Sequence, residues 1–420
     1  MSGDGFLRVD SEIGKLKTVL LHRPGKELEK LTPAYLEEML FDDIPWLKRI
    51  QYEHDQFAAV LMGQGTEVLY YEDLLSDILS SDSVKEEIIV NTLERSGITN
   101  TFLFEEIKDF LTDKTPQALA ETLIAGLSIT DLKSKRSRGR LSNYISEAFP
   151  FYIPPLINFY FTRDPGSVIG NRISVNSMKR EARRRESAIL HYIYRHHELF
   201  SASSDYSWYD FDERPSIEGG DILVLSKSVL AVGCSVRTSI DAIERLAERL
   251  FYGNGEKSSD IREILVIQIP FTRAYMHLDT VFTMVDYDKF TIFPGIEKNL
   301  KVFSLKPSSA SLSGSGECGF RIEEKKSLEA ALKDALDISS VNLIPSGGGD
   351  LVTAAREQWN DSTNTLAVAP GVVITYERNA VTNMTLRENG IEVIEIEGSE
   401  LVRGRGGPRC MSMPLNREPV

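Results

Sequence analysis

Cysteine is scarce in this chain: three in 420 residues, at Cys234, Cys318 and Cys410. Three scattered thiols give neither a disulfide framework nor a zinc-ligand spacing, so a buried core must hold the fold and a reducing, cytoplasmic setting is expected. A basic excess is also lacking. With 62 acidic against 48 basic side chains the formal net charge is −14, which argues against a nucleic-acid partner. No apolar run approaches the ~18 residues of a membrane span. Leu366–Tyr376, among the longest, is strand-sized, and the start MSGDGFLRVDSEIG has neither the basic nor the apolar region of a secretory signal. Neither membrane nor nucleic acid is therefore an expected partner. What is present is ordinary globular material, 42% hydrophobic and 26% charged, enough to bury a large core.

Along the chain, Leu16–Leu21 reads as a strand and Thr32 to Met62 as helical, opened by Thr32-Pro33 as cap and first helical position. From about residue 73 to 147 strands vanish and helix formers dominate. Helix starts punctuate this stretch, with Ser83 and Glu86 at capping-box spacing and another cap at Thr115-Pro116. The spacing predicts an all-helical insert that ends in the basic run Lys133–Arg140, most simply a solvated loop.

After Pro155 short strand pairs, each followed by a helix, recur at roughly 55–75 residues. Each is entered through a polar corner: Arg163-Asp164, Glu218-Gly219-Gly220-Asp221, His277-Leu278-Asp279 and Gly347-Gly348-Gly349-Asp350. The expected strands include Phe159–Phe161, and the expected helices include Met178–Tyr194 and the amphipathic one carrying Ile243, Leu246 and Leu250. Such a repeat suits an α/β class with a radial array of units, in which equivalent corners converge on one axial pocket.

Taken singly these corners are weak signals. An aspartate after glycines is usually a turn residue bonding its own backbone, and a lone histidine is usually structural. RGRGG, residues 403–407, lacks the Lys-Ser/Thr pair of a phosphate loop. Among the thiols, Cys410 has Arg403, Arg405 and Arg409 nearby to favour thiolate, Cys234 ends an apolar strand, and Cys318 lies in a Ser/Gly loop. No carboxylate–histidine set suggests a metal site.

Taken together, six motifs in order resemble the arginine deiminases of the guanidino-group-modifying superfamily. They are Phe41-Asp42-Asp43-Ile44-Pro45-Trp46, Phe161-Thr162-Arg163-Asp164, Glu218-Gly219-Gly220-Asp221, His277-Leu278-Asp279, Arg356-Glu357-Gln358-Trp359-Asn360-Asp361, and Arg403-Gly404-Arg405-Gly406-Gly407 before Cys410. The resemblance implies a five-fold pseudosymmetric α/β-propeller, the pentein fold. Residues 1–420 would form one catalytic domain with the helical insert at 73–147 inside it. It also implies a homo-oligomer.

The implied activity is hydrolysis of a linear amidine C–N bond, turning L-arginine into L-citrulline and ammonia without metal or organic cofactor. Cys410 would attack the guanidinium carbon as thiolate. Asp164 and Asp279 would hold the guanidinium N–H groups, His277 would act as general acid and base, and Glu218 would favour its imidazolium. Arg183, Arg237 and Arg405 match positions that bind the substrate's carboxylate end, and Asn158 one that contacts its amino-acid end. Phe41–Pro45 and residues 404–409 are the expected lids. Rival readings are an agmatine deiminase, a dimethylarginine hydrolase or an amidinotransferase of the same fold, and a silent scaffold.

Overall fold

One strand arrangement recurs through the chain. In the computed structural model, which describes residues 5–132, 150–253, 258–272, 274–297, 300–308 and 319–420, Ile222–Ser226 pairs antiparallel with Val229–Cys234, and this strand pairs parallel with Glu263–Gln268. The same order joins Phe282–Met284, Lys289–Ile292 and Asn342–Pro345, and again Leu366–Ala369, Val372–Tyr376 and Glu392–Ile396. It recurs where the last strand, Met413–Arg417, closes on the first, Leu16–Leu21, with Glu67–Tyr70 as the parallel third. Among the described residues, Gly166–Ile169 and Arg172–Val175 keep only the antiparallel pair.

The parallel third strand explains the helices. Antiparallel neighbours need only a tight turn, whereas a parallel neighbour needs a crossover, and a helix supplies it. Ile240–Tyr252 is one such crossover. Ser239 caps it by accepting from the Ala242 N–H at 3.3 Å, Ile243, Leu246 and Leu250 form its buried face, and Gly253 ends it with φ 63°. Leu47–Gly63 and Ala380–Glu388 play the same part in their units.

Helices Tyr71–Ile78, Asp82–Arg95, Thr101–Thr112 and Pro116–Ala125 fill most of the described stretch after residue 73, but it is not all-helical, because Leu127–Ser128 forms a short strand antiparallel to Phe151–Ile153. Their apolar faces share one core cluster with the α/β units: Leu75, Ile89, Leu111 and Leu123 are buried in the same cluster as Phe159, Ile189 and Leu246. The run 133–140 and Cys318 lie outside the described residues.

Several expectations are corrected. The helical stretch from Thr32 is only a 3-10 turn, Pro33–Tyr35, and the long helix begins at Leu47 because Pro45 disfavours helical backbone at Ile44. The cap near residue 82 is Ser81 rather than Ser83. Phe159–Phe161 forms turns rather than a strand, with the Phe161 N–H donating to Asn158 O at 2.9 Å. The helix expected from Met178 starts at Arg184.

One buried carboxylate ties the first long helix to the loop that leads to Cys410. Glu53 is fully buried and accepts from the backbone N–H groups of Ser399, Glu400 and Leu401 at 3.2, 2.8 and 3.1 Å, and from the Ser399 hydroxyl at 2.5 Å. It thereby satisfies the N–H groups that open the turn Leu401–Gly404. Glu53→Ala strands these donors and is expected to lower the unfolding free energy by about 3 kcal/mol. Urea denaturation measures this; an unmoved midpoint would mean that packing alone holds the turn.

Candidate active site

Close approach of backbone to side chain builds the site. Glu218 and His277 each precede a 3-10 turn, Gly219–Asp221 and Leu278–Thr280, from extended backbone at φ −130° and −137°. A Cβ on Gly219 would meet the Arg163 carbonyl oxygen at 2.1 Å, and one on Gly220 would meet Cγ of the His277 ring at 2.7 Å. The two glycines therefore let three corners touch. Asp221 does not act as a local turn residue. It accepts from the Leu278 N–H at 2.8 Å and the Ser235 hydroxyl at 2.7 Å, fastening its corner to the next strand and the next corner.

His277 lies between two carboxylates. Its Nε2 is 2.7 Å from Glu218 Oε2, its Nδ1 is 3.7 Å from Asp164 Oδ1, and all three side chains are buried. Burial alone would lower its pKa, but the fields of Asp164, Glu218 and Asp221 outweigh that and raise it to about 9. Burial likewise works against the Glu218 carboxylate, yet Arg237, His277 and Arg183 hold its pKa well below the usual range. The pair is an imidazolium–carboxylate at neutral pH.

Cys410 is 4% exposed and its Sγ lies 3.6 Å from Asp279 Oδ2. Its N–H donates to Asn364 Oδ1 at 2.9 Å, and its carbonyl accepts from the Arg163 N–H at 3.1 Å. Gly407 makes room, since a Cβ there would meet the Asn364 carbonyl oxygen at 2.6 Å. Burial pushes the thiol's pKa well above its ordinary value, and the negative charges of Asp279, Asp164 and Asp361 push it further against the opposing pull of Arg409. The sequence suggested that Arg403, Arg405 and Arg409 would favour thiolate. The structure reverses this, because Arg409 is spent on Asp279 at 2.8 Å and on Glu12 at 3.0 Å, Arg403 pairs with Asp43 and Arg405 faces Asp42.

The other expected residues line the same inner cavity. Asn158, Arg183, Arg237 and Arg405 border it together with Asp164, His277 and Cys410, whereas Asp279 reaches it through Cys410. Arg183 donates to Asp164 Oδ2 at 2.5 Å and to Glu186 Oε2 at 2.8 Å, so its guanidinium already sits on one of the expected substrate acceptors. Arg237 is 3.5 Å from Glu218 Oε1, and Asn158 donates to the Met39 carbonyl at 2.7 Å. The cavity measures about 20 Å³, room for a water but not for a guanidinium group. An outer cavity of about 220 Å³ shares Leu40, Arg237, Met276 and Arg405 with it.

Leu40 and Arg405 both hold left-handed backbone, at φ 62° and 65°, and Asp361 does so at φ 55°. Non-glycine residues rarely adopt it, and such strain concentrates where a segment moves or a site is shaped. The two motifs expected as lids meet here, with Asp42 at 3.5 Å from Arg405, Asp43 paired with Arg403, and the Arg405 guanidinium 3.6 Å above the Trp359 ring.

The motif Arg356–Asp361 carried no expected role. Glu357 accepts from the Val381 and Thr382 N–H groups, each at 2.9 Å, capping the next helix. Burial raises the Asp361 carboxyl to about 7, with Asp279 adding to it against Arg405. Glu12 was missed entirely, being one acidic residue in an unremarked turn, as was Asn364, three positions beyond the quoted motif. Asp164, Glu218 and His277 offer ligand atoms within 4.8 Å of one another, but both carboxylates already face arginines and protonated His277 is a donor.

The family model described as arginine deiminase matches residues 37–417. An arginine deiminase of Bacillus thuringiensis subsp. konkukian is 46% identical over 99% of this chain and 99% of its own. One from Staphylococcus aureus is 48% identical over 99% and 100%. Among solved structures, an amidinotransferase from Microseira wollei aligns with a TM-score of 0.56 at 13% identity, covering 99% of this chain and 98% of that one. The N-terminal domain of a cyanobacterial arginine dihydrolase aligns at 0.52 and 12%, covering 95% and 97%. These two likenesses speak to the fold, a mixed α/β pentein.

The His277 shift has a sign. Because its pKa rises on folding from 6.5 to about 9, its charge adds stability that is fully present below about 6.5 and fades as pH rises through 9. An imidazole NMR titration of His277 is expected to show a midpoint near 9, and Glu218→Gln to bring it down. A wild-type midpoint at or below 6.5 would contradict the pairing.

Proposed function

The chain belongs to the arginine deiminase family, and we propose that its reaction, the hydrolysis of L-arginine to L-citrulline and ammonia, runs through a thiouronium on Cys410 with His277 as acid and base. One observation carries this reading: a buried thiol beside Asp279 and a buried imidazolium between Asp164 and Glu218 border one cavity. The recurrent strand order supports a five-unit radial arrangement that brings the corners to an axis, with residues 73–147 as an insert in a single domain.

Arginine replaces one guanidinium with another. Its cationic end takes the place of Arg183 on Asp164 and faces the unpartnered Oδ1 of Asp279. Release from Asp164 leaves Arg183, with Arg237 and Arg405, to receive the α-carboxylate, while Asn158 contacts the amino-acid end. Positive charge among the carboxylates lowers the thiol pKa, and its proton is lost to solvent. Thiolate sulfur then bonds to the guanidinium carbon, held in line by its two acceptors.

His277 delivers its proton to the departing nitrogen as the C–N bond breaks, and ammonia leaves a thiouronium on sulfur. The now neutral imidazole takes a proton from water as the water oxygen bonds to the same carbon. Breaking the C–S bond returns the thiolate while the hydroxyl proton is lost to solvent, and the carbon becomes the ureido carbonyl of citrulline. Glu218 keeps the imidazole oriented and protonated between turnovers.

Citrulline formation by purified enzyme tests the reading. Cys410→Ala is expected to lose about 10⁴-fold or more in rate. Agmatine, which lacks the carboxylate, is expected to fall in kcat/KM by about tenfold to a hundredfold for each arginine contact it forgoes. Citrulline production that survives Cys410→Ala, or a preference for agmatine, would overturn the assignment.

A further inference from the structure

Behind the nucleophile lies a cluster that the reaction does not use. Arg163 follows the turn that carries Phe161 and is 5% exposed; its Nε donates to the Arg409 carbonyl at 3.3 Å. Arg409 in turn grips Glu12, through Nε to Oε2 at 3.0 Å and Nη2 to Oε1 at 3.1 Å. Arg417, 1% exposed on the last strand, donates from Nη1 to the Gly14 carbonyl at 2.7 Å, two residues from Glu12. Three guanidinium groups are thus gathered around one short turn.

Their charges do not balance. Arg163, Arg409 and Arg417 contribute three positive charges, and Glu12 and Asp279 two negative ones, which leaves one positive charge in excess. Arg409 takes both oxygens of Glu12 and Oδ2 of Asp279 through its own fork. Arg163 Nη2 and both Nε and Nη2 of Arg417 are buried without a partner. Buried N–H groups of this kind each cost free energy unless something accepts from them, and a buried unpaired cation costs more. The same crowding is felt in proton affinity: burial together with Arg409 and Arg417 lowers Arg163 to about 9, and burial with Arg409 lowers Arg417 to about 10.

We propose that Arg163 and Arg417 form a buried site for a small monovalent anion of the halide class, which accepts from their unpartnered N–H groups and neutralises the excess charge. The site takes a spherical or near-spherical acceptor because its donors come from two separate forks rather than one bidentate face. Its position ties it to the nucleophile. Arg163 donates its own N–H to the Cys410 carbonyl and its Nε to the Arg409 carbonyl, so the anion fixes the segment that presents the thiol. It is a structural ligand one layer behind the reaction.

Crystals of wild-type enzyme grown with bromide as the only halide test the proposal. An anomalous peak within hydrogen-bond distance of Arg163 Nη2 and Arg417 Nη2 is expected; a water there, with no anomalous signal, overturns it. Thermal unfolding gives a second reading at matched ionic strength in chloride against gluconate. Tm is expected to rise by roughly a degree or two for each tenfold increase in chloride, and Arg417→Gln to abolish that dependence. Equal Tm in the two salts would also overturn it. Should Arg417→Gln fail to fold, the wild-type bromide and chloride measurements still decide.

Discussion

Each of the three buried carboxylates gathered around His277 and Cys410 is held by a buried cation, and the rest of the structure follows from that constraint. Asp164 faces Arg183 and His277, Glu218 faces His277 and Arg237, and Asp279 faces Arg409. Such pairs are expensive to assemble away from water and more expensive to break on one side only. In the proposed reaction they supply a cationic substrate with acceptors already stripped of solvent. Until it comes, arginines of the chain stand on those acceptors.

The constraint explains the corners. Charged groups contributed by different units must approach within hydrogen-bond distance, and backbone must pass close beneath them. Gly219, Gly220 and Gly407 lie where a Cβ would collide with a carbonyl or with the His277 ring. It also explains the reversal at Cys410. Basic neighbours in the sequence favour thiolate, but in space they are consumed by Asp42, Asp43, Glu12 and Asp279, and the thiol is left facing carboxylates. Opposed to these carboxylates the thiol rests neutral, and in the proposed reaction the arriving guanidinium is the trigger.

How much of this was legible beforehand follows from the physics of each signal. Residues in named corners, such as His277 in His-Leu-Asp and Glu218 before Gly-Gly, were found because the motif and its order are dense in information. The repeat of strand pair and helix was visible from periodicity, whereas the parallel third strand that completes a unit, as Glu263–Gln268 does, was not. Strands Lys301–Pro307 and Phe320–Lys325 were not, because their exposed faces carry charge and the sequence between them is rich in Ser and Gly. Glu12 and Arg417 act through tertiary contact with residues 397 and 403 positions away, and Asn364 with residues 46 and 85 positions away. Nothing local distinguishes them from other polar residues. The committed state of Arg183 was likewise invisible, since a charged helical face would read the same.

The central claim is that surrounding carboxylates hold Cys410 as a thiol until a guanidinium enters. Ultraviolet thiolate absorbance, titrated against pH and corrected with Cys410→Ala, measures this directly in free enzyme and with an arginine analogue that binds without turnover. No Cys410 thiolate is expected at neutral pH in the free enzyme, and it is expected to appear there once the analogue is bound. The same titration curve in both states, or a free enzyme already ionised at neutral pH, would contradict it.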